Sequence, residues 1–387
     1  MRYSLAILLL LVLAGCREAQ PPFDTDEYGP RTDTGAVRLS YNPVADHAPT
    51  WASDSDTVYY TAASFPGLPI ASDGVLLALP RAGGAARLIM PAIQVGIASP
   101  RWLSTPAFTK NGDRIAFFDL NVVRLPECAE LVCPFNADTL LAQVQLVSGV
   151  LRVRDVDGLG NDLATVSVPF AGRDLDTTRH PGGVEGVTIL HAYPFQRRFN
   201  IWRMPVFRPV WSPDGTRLVY SDGLQLLLWT PGAAPVPIPN TDDGAWPAWS
   251  ADGQTIAYTR LIRGGSSQYT CTCLSSTGFP IEVQERTVYS GWGVEGTLTL
   301  INPDGSNKRE LGTGEGPAWL ADGRIVVTRG ARLWIVSAAG NAISEIPNTD
   351  FAAAPAVSPD GKYIAFTRQT GERDWDIWVV PVPASAQ

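Results

Sequence analysis

Trp211-Ser212-Pro213-Asp214-Gly215 and Trp249-Ser250-Ala251-Asp252-Gly253 are two copies of one phrase, and its recurrence decides the fold. Trp319-Leu320-Ala321-Asp322-Gly323 and Val357-Ser358-Pro359-Asp360-Gly361 repeat it, and Trp51-Ala52-Ser53-Asp54-Ser55 and Phe108-Thr109-Lys110-Asn111-Gly112 are degenerate copies. A proline stands two residues before the first position of each: Pro49, Pro106, Pro209, Pro247, Pro317 and Pro355. Neighbouring copies recur at about 40 residues, the period of one supersecondary unit used many times.

Pro-Asp-Gly is turn chemistry. Proline presets φ, aspartate bonds its own backbone, and glycine takes the positive φ that closes a hairpin. Short β-branched and aromatic runs follow, such as Arg217-Leu218-Val219-Tyr220 and Tyr363-Ile364-Ala365-Phe366, and these read as strands. A second hairpin trails the first: Leu333-Trp334-Ile335-Val336, then Ala338-Ala339-Gly340, then Ile343-Ser344-Glu345-Ile346. Four strands in about 40 residues make a propeller blade. The expected fold is all-β, a six-bladed β-propeller of four-stranded blades.

The units resemble the propeller repeat of the TolB family, the periplasmic component of the bacterial Tol-Pal system. The resemblance covers roughly residues 37–382 and is strongest after Arg208. It implies a TolB-like propeller. That family also carries an α/β domain ahead of its propeller, and none is expected here, so the resemblance does not extend to the family's role.

Arg2, the apolar run Leu5 to Leu13 and then Leu13-Ala14-Gly15-Cys16 look like a lipoprotein signal peptide. The apolar run is too short to span a bilayer. Residues 1–15 are expected to be removed and Cys16 lipidated, with residues 16–36 a flexible tether rich in Pro, Asp, Thr and Gln. Residues 37–387 form the propeller. Arg17 rather than Asp follows Cys16, which by resemblance to sorted lipoproteins favours the outer membrane, facing the periplasm.

Removing residues 1–15 takes away Arg2 and leaves 29 basic against 38 acidic side chains, a net charge of −9. Lysine occurs only at 110, 308 and 362. Such a balance excludes a general nucleic-acid surface, which needs a basic stripe. A closed ring of about 345 residues buries ample core without disulfides, and a monomer is expected.

The last blade ends with Asp376-Ile377-Trp378-Val379-Val380 and lacks a fourth strand of its own. Val37-Arg38-Leu39-Ser40-Tyr41 reads as an outermost strand and is expected to supply it, removing the open sheet edge. With the phrase at the inner strand, every Asp-Gly turn falls on one face. The loops from second to third strand, and from blade to blade, fall on the other. Three long insertions share that second face: Asn121 to about Gly149, about Phe170 to Phe207, and Leu261 to about Glu295. Long loops in a compact domain mark the working surface.

Cys128 and Cys133 lie in the first insertion, and Cys271 and Cys273 in the third. Four cysteines allow three connectivities. A Cys128–Cys133 bridge is sterically easy, a Cys271–Cys273 bridge would be strained, and pairing between the insertions is open. A four-cysteine zinc site is the rival reading, but the C-x-C spacing suits it poorly and an exported chain meets oxidising conditions. Disulfides are expected, with no metal and no cofactor.

No Gly-x-Ser-x-Gly elbow, His-Glu-x-x-His or phosphate-binding loop occurs. The histidines are His47, His180 and His191. His180 and His191 could meet Asp174, Asp176 or Glu185, or simply face solvent. Asp155-Val156-Asp157-Gly158 lacks the spacing of a calcium loop. No catalytic residue is therefore assigned. Aromatic and arginine side chains dominate interface energetics, so Arg197, Arg198, Trp202, Arg203 and Trp292 are the expected partner-binding set. Two functions follow: a membrane-anchored envelope binding module that holds a protein or envelope polymer at the mouth, or a polysaccharide-acting lyase or hydrolase. The missing acid/base set favours binding.

Overall fold

The computed structural model describes residues 35–41, 46–63, 74–90, 101–104, 106–124, 130–132, 144–156, 160–169, 208–222, 225–261, 266–274, 277–289, 296–370 and 375–384. No helix occurs among them. The chain is a six-bladed propeller of antiparallel four-stranded blades. Blade 1 runs outward through Asp46–Trp51, Thr57–Ala63, Gly74–Pro80 and Arg87–Met90. Blade 2 opens with two short inner strands, Arg101–Leu103 and Ala107–Phe108, and continues through Arg114–Arg124, Val144–Asp155 and Asp162–Pro169. Val210–Trp211, Leu218–Ser221, Leu226–Trp229 and Val236–Pro237 form blade 3. Gly244–Trp249, Ile256–Arg260, Thr297–Ile301 and Arg309–Thr313 form blade 4. Blade 5 is Glu315–Trp319, Ile325–Arg329, Arg332–Val336 and Ala342–Glu345. Blade 6 is Ala352–Val357, Tyr363–Gln369, Trp375–Pro381 and then Val37–Arg38 from the other end of the chain.

Each phrase builds its turn as its chemistry dictates. Ser212 accepts the Gly215 amide on its carbonyl at 2.8 Å, and its hydroxyl donates to Asp214 at 2.5 Å and accepts the Arg217 amide at 3.0 Å. Gly215 sits at φ +68°, a conformation glycine adopts without strain. The Ser212 hydroxyl and the Thr216 amide hold the Asp214 carboxyl down at about 2.

The tryptophan of the phrase then locks its blade to the preceding one. Trp51 donates its indole N–H to Ala356 O at 2.9 Å, Trp211 to Ala107 O at 3.2 Å, and Trp319 to Ala248 O at 3.1 Å. Arginines of the preceding blade cap phrase tryptophans: Arg114 lies 5.3 Å from the Trp211 centroid, and Arg217 lies 5.3 Å from that of Trp249, whose indole N–H has no hydrogen-bond partner among the described residues. The core is correspondingly a set of wedges between blades. Blades 1 and 6 share Trp51, Val58, Tyr60, Ile377 and Val379, and blades 5 and 6 share Val326, Ile335, Ile364 and Phe366.

Ring closure follows the expected pairing, with Val37 opposite Val379 and Arg38 opposite Trp378. The ladder proper is shorter than residues 37–41, because Leu39 and Ser40 both aim their amides at Ile377 O and the strand bends away. Side chains complete the joint. Arg38 Nη2 lies 2.6 Å from Asp376 Oδ2, with the two side chains 4% and 0% exposed. Thr370 donates to the same carboxylate at 2.5 Å, and Ser40 Oγ accepts the Ile377 amide at 2.9 Å. Leu39 is buried in the wedge between blades 1 and 6.

Candidate functional site

The residue before four of the phrase prolines shapes the propeller axis. Ala48, Trp246, Gly316 and Ala354 all hold positive φ, at +49°, +48°, +59° and +50°. At each, the pairing of inner and second strand slips, between His47 and Thr50, Ala245 and Ala248, Glu315 and Ala318, and Ala353 and Ala356. A bulge of this kind re-aims side chains and backbone. The three non-glycine cases cost on the order of 1 kcal/mol each, a strain that clusters at working sites.

These bulges stand where the inner strands begin, at the end opposite the Asp-Gly turns, so they lie on the insertion-bearing face. Between them is a pocket of about 450 Å³, open mouth included, walled by inner strands of blades 1, 4, 5 and 6. His47 and Ala48 come from blade 1, Trp246 from blade 4, Glu315 and Gly316 from blade 5, and Ala353 and Ala354 from blade 6. Thr328, Thr367 and Trp375 close its outer wall.

Its polar groups are unevenly satisfied. The second strand of several blades carries a hydroxyl at one repeat position, and two of these cap a bulge of the next blade. Thr367 Oγ1 accepts the Ala48 amide at 3.0 Å, and Thr259 Oγ1 accepts that of Gly316 at 3.1 Å. The equivalent Thr328 is 4% exposed, yet its Oγ1 has no hydrogen-bond partner. Trp375 is 2% exposed and its indole N–H is likewise unpartnered. The Glu315 carboxyl accepts the Gly296 amide at 3.0 Å. His47, half-buried 6.4 Å from the Trp375 ring centroid, has its imidazole pushed down to about 4 by loss of solvent and is neutral at pH 7. Arg208 holds the pre-proline position of blade 3. It is half-buried, its Nε is sealed without a partner, and burial pushes it down to about 10, so it keeps its charge.

The insertions carry structure of their own. Ser266–Leu274 and Pro280–Tyr289, from blade 4, form a hairpin where a loop was expected. Glu130–Val132, from the blade 2 insertion, pairs with this hairpin, Val132 opposite Thr272 and Glu130 opposite Leu274. Two insertions from non-adjacent blades thus join in one three-stranded sheet. Of the residues singled out in the sequence, Cys271 and Cys273 lie on that hairpin. Cys16, Cys128, Cys133, His180, His191, Arg197, Arg198, Trp202, Arg203 and Trp292 lie outside the described residues. Sequence reasoning missed the pocket. The signal that could have found it is the pre-proline position, once the repeats are aligned.

No family model and no curated protein matches the chain. Solved structures do. TolB from Acinetobacter baumannii aligns with a TM-score of 0.44 at 13% identity, covering 81% of this chain and 57% of that one, so the chain spans little more than half that protein's length. A gluconolactonase from Xanthomonas campestris aligns at 0.47 and 13% identity over 92% of this chain and 91% of its own. An oligogalacturonate lyase from Vibrio parahaemolyticus aligns at 0.41 and 10% identity, over 92% and 96%.

Proposed function

We propose that the protein is a membrane-anchored extracytoplasmic binding module of the bacterial cell envelope, which holds a protein or envelope polymer at the insertion-bearing mouth of its propeller. One observation carries the choice of face. The axial pocket lies at the end of the ring from which the insertions of blades 2 and 4 leave, and those insertions pair with each other. The opposite face carries compact Ser-Asp-Gly turns whose polar groups are consumed by their own backbone.

In this reading Cys16 carries the lipid, probing the periplasm from the outer membrane, and Arg197, Arg198, Trp202, Arg203 and Trp292 add contact area at the mouth. The test is crosslinking in cells from photoreactive residues at positions 131 and 272 of the insertion sheet and at positions 214 and 252 of the turns. Adducts from the first pair, weakened by Arg197→Ala with Arg198→Ala, are expected. Adducts from the turn positions alone would place the partner on the wrong face for this proposal. Cys16→Ser is expected to release the protein from washed membranes.

A further inference from the structure

We propose that Arg208 is the anion-receiving group of the mouth and that it takes one isolated carboxylate from a protein partner. This rests on the reading of the insertion-bearing mouth as the binding face and adds the chemistry by which that face recognises its partner.

Arg208 precedes Pro209 where blade 3 begins. The same repeat position is Ala48, Trp246, Gly316 and Ala354 in blades 1, 4, 5 and 6, and all four of these wall the axial pocket. The repeat therefore sets Arg208 on the ring around the axis, beside blade 4. Its Nε is sealed without an acceptor, and no carboxylate among the described residues pairs with it. Other arginines at this end of the ring are served by the fold. Arg260 lies 3.1 Å from Glu310, and Arg329 donates to Thr313 O at 2.9 Å. Arg332 lies 2.6 Å from both Glu345 and Asp350, and Arg368 stands 4.7 Å from the Trp378 ring centroid.

A guanidinium that has lost solvent and cannot shed its proton calls for a counter-charge. Nothing in the turn demands an arginine, since alanine or glycine holds the same position in three other blades. The missing acceptor is one that a ligand brings. Arg208 is half-buried rather than enclosed, so its Nη end stays open to that ligand.

The surroundings narrow the choice. A planar guanidinium fork matches the two oxygens of a carboxylate. It is a single charge, so a phosphate dianion would keep its second charge uncovered. Asp242, Asp243 and Glu315 stand where the inner strands of blades 4 and 5 begin, and the whole chain carries a net charge of −8. A polymer with a carboxylate on every unit would set its remaining charges against that field. A protein segment can bring one carboxylate alone, at its C-terminus or on a single acidic side chain.

The experiment is NMR on the purified, isotope-labelled protein at constant ionic strength. The probes are N-acetyl-trialanine with a free C-terminal carboxylate, its C-terminal amide, inorganic phosphate and trigalacturonate. The peptide acid is expected to shift the one arginine Nε–H resonance that disappears in Arg208→Met, and the amide is expected to leave it in place. Saturation transfer to the peptide acid should show affinity weakened about tenfold or more in Arg208→Met, the loss of a hydrogen bond to a charged group. Arg208→Lys keeps the charge without the fork and should recover only part of it. The melting temperature of Arg208→Met should be unchanged or higher, because an uncompensated charge is removed while the apolar stem is kept. No shift with the peptide acid, or an equal shift with acid and amide, would overturn the proposal. A clear fall in melting temperature would mean that Arg208 serves the fold, and would overturn it too. Tighter binding of phosphate or trigalacturonate than of the peptide acid would overturn the assignment to a protein carboxylate. The two readings fail separately. A partner crosslinked at the insertion sheet with no response at Arg208 removes only the carboxylate site. A response at Arg208 with crosslinks confined to the Asp-Gly turns removes only the choice of face for the partner.

Discussion

Replacing Arg38 with methionine tests how the ring is held shut. The substitution keeps the length and apolar stem of the side chain and removes the guanidinium that lies 2.6 Å from Asp376. The carboxylate left behind is 0% exposed. Breaking a buried ion pair on one side costs about 3–5 kcal/mol, mostly as the penalty of an uncompensated charge. Here Thr370 still donates at 2.5 Å and Ser40 at 3.4 Å, so the lower end, about 3 kcal/mol, applies. If the ring unfolds as one unit of roughly 350 residues, its unfolding entropy is about 0.7 kcal/mol/K and the melting temperature falls by about 4 °C. Differential scanning calorimetry and urea titration both read this. The double replacement Arg38→Met with Asp376→Leu removes both charges and should recover most of the loss, because an apolar pair of similar volume is often as stable as the ion pair. A single variant costing under about 1 kcal/mol, or a double variant no better than the single, would refute the account of closure.

Stability should fall with acidification through His47. Unfolded, the imidazole takes its proton near 6.5, and folded only near 4, so between these values the unfolded state binds more protons. The loss levels off below pH 4, at on the order of 3 kcal/mol; His47→Phe should flatten that part of the urea midpoint against pH, and an unchanged slope would count against it. For the cysteines, the residue after Val132 and the residue before its partner Thr272 are Cys133 and Cys271. The register of Val132 opposite Thr272 joins the two insertions in one sheet, so peptide mapping without reductant is expected to recover a bridge between the insertions rather than Cys128–Cys133 alone. Arg208→Met should raise or preserve the urea midpoint, since Arg208 carries a sealed, unpartnered Nε; a clear drop would show that the arginine serves packing.

The propeller was legible because its chemistry is local. A turn such as Ser212 to Arg217 is specified by residues that touch each other, and six copies reinforce one reading. Closure was legible from a deficit, the missing fourth strand after Val380, although the bend at Leu39 that shortens the ladder was not. The hairpin Ser266–Leu274 with Pro280–Tyr289 is legible only in the alternation of Tyr269, Cys271 and Cys273, which a reading by length and position alone passes over as a loop. The pocket was opaque for a different reason. His47, Glu315, Thr328 and Trp375 sit on three blades, and only the closed ring brings them together. Nothing in a linear pattern says that a threonine two blades away from a histidine will share its cavity. The arginine and tryptophan set at 197–203 and 292 lies outside the described residues, so its place at the mouth stays with the experiments above.

The joint between Ser40 and Ile377 spans 337 residues of sequence. During synthesis the first strand of the chain therefore exists long before its partner does. Throughout that interval it must refuse every other exposed edge. A two-residue ladder is well suited to waiting, because so few backbone bonds give little reward to a wrong partner, and the charge of Arg38 discourages entry into an apolar edge. The sixth blade offers the buried Asp376 carboxylate to receive that charge. The ring can thus shut only on a chain that has reached Asp376.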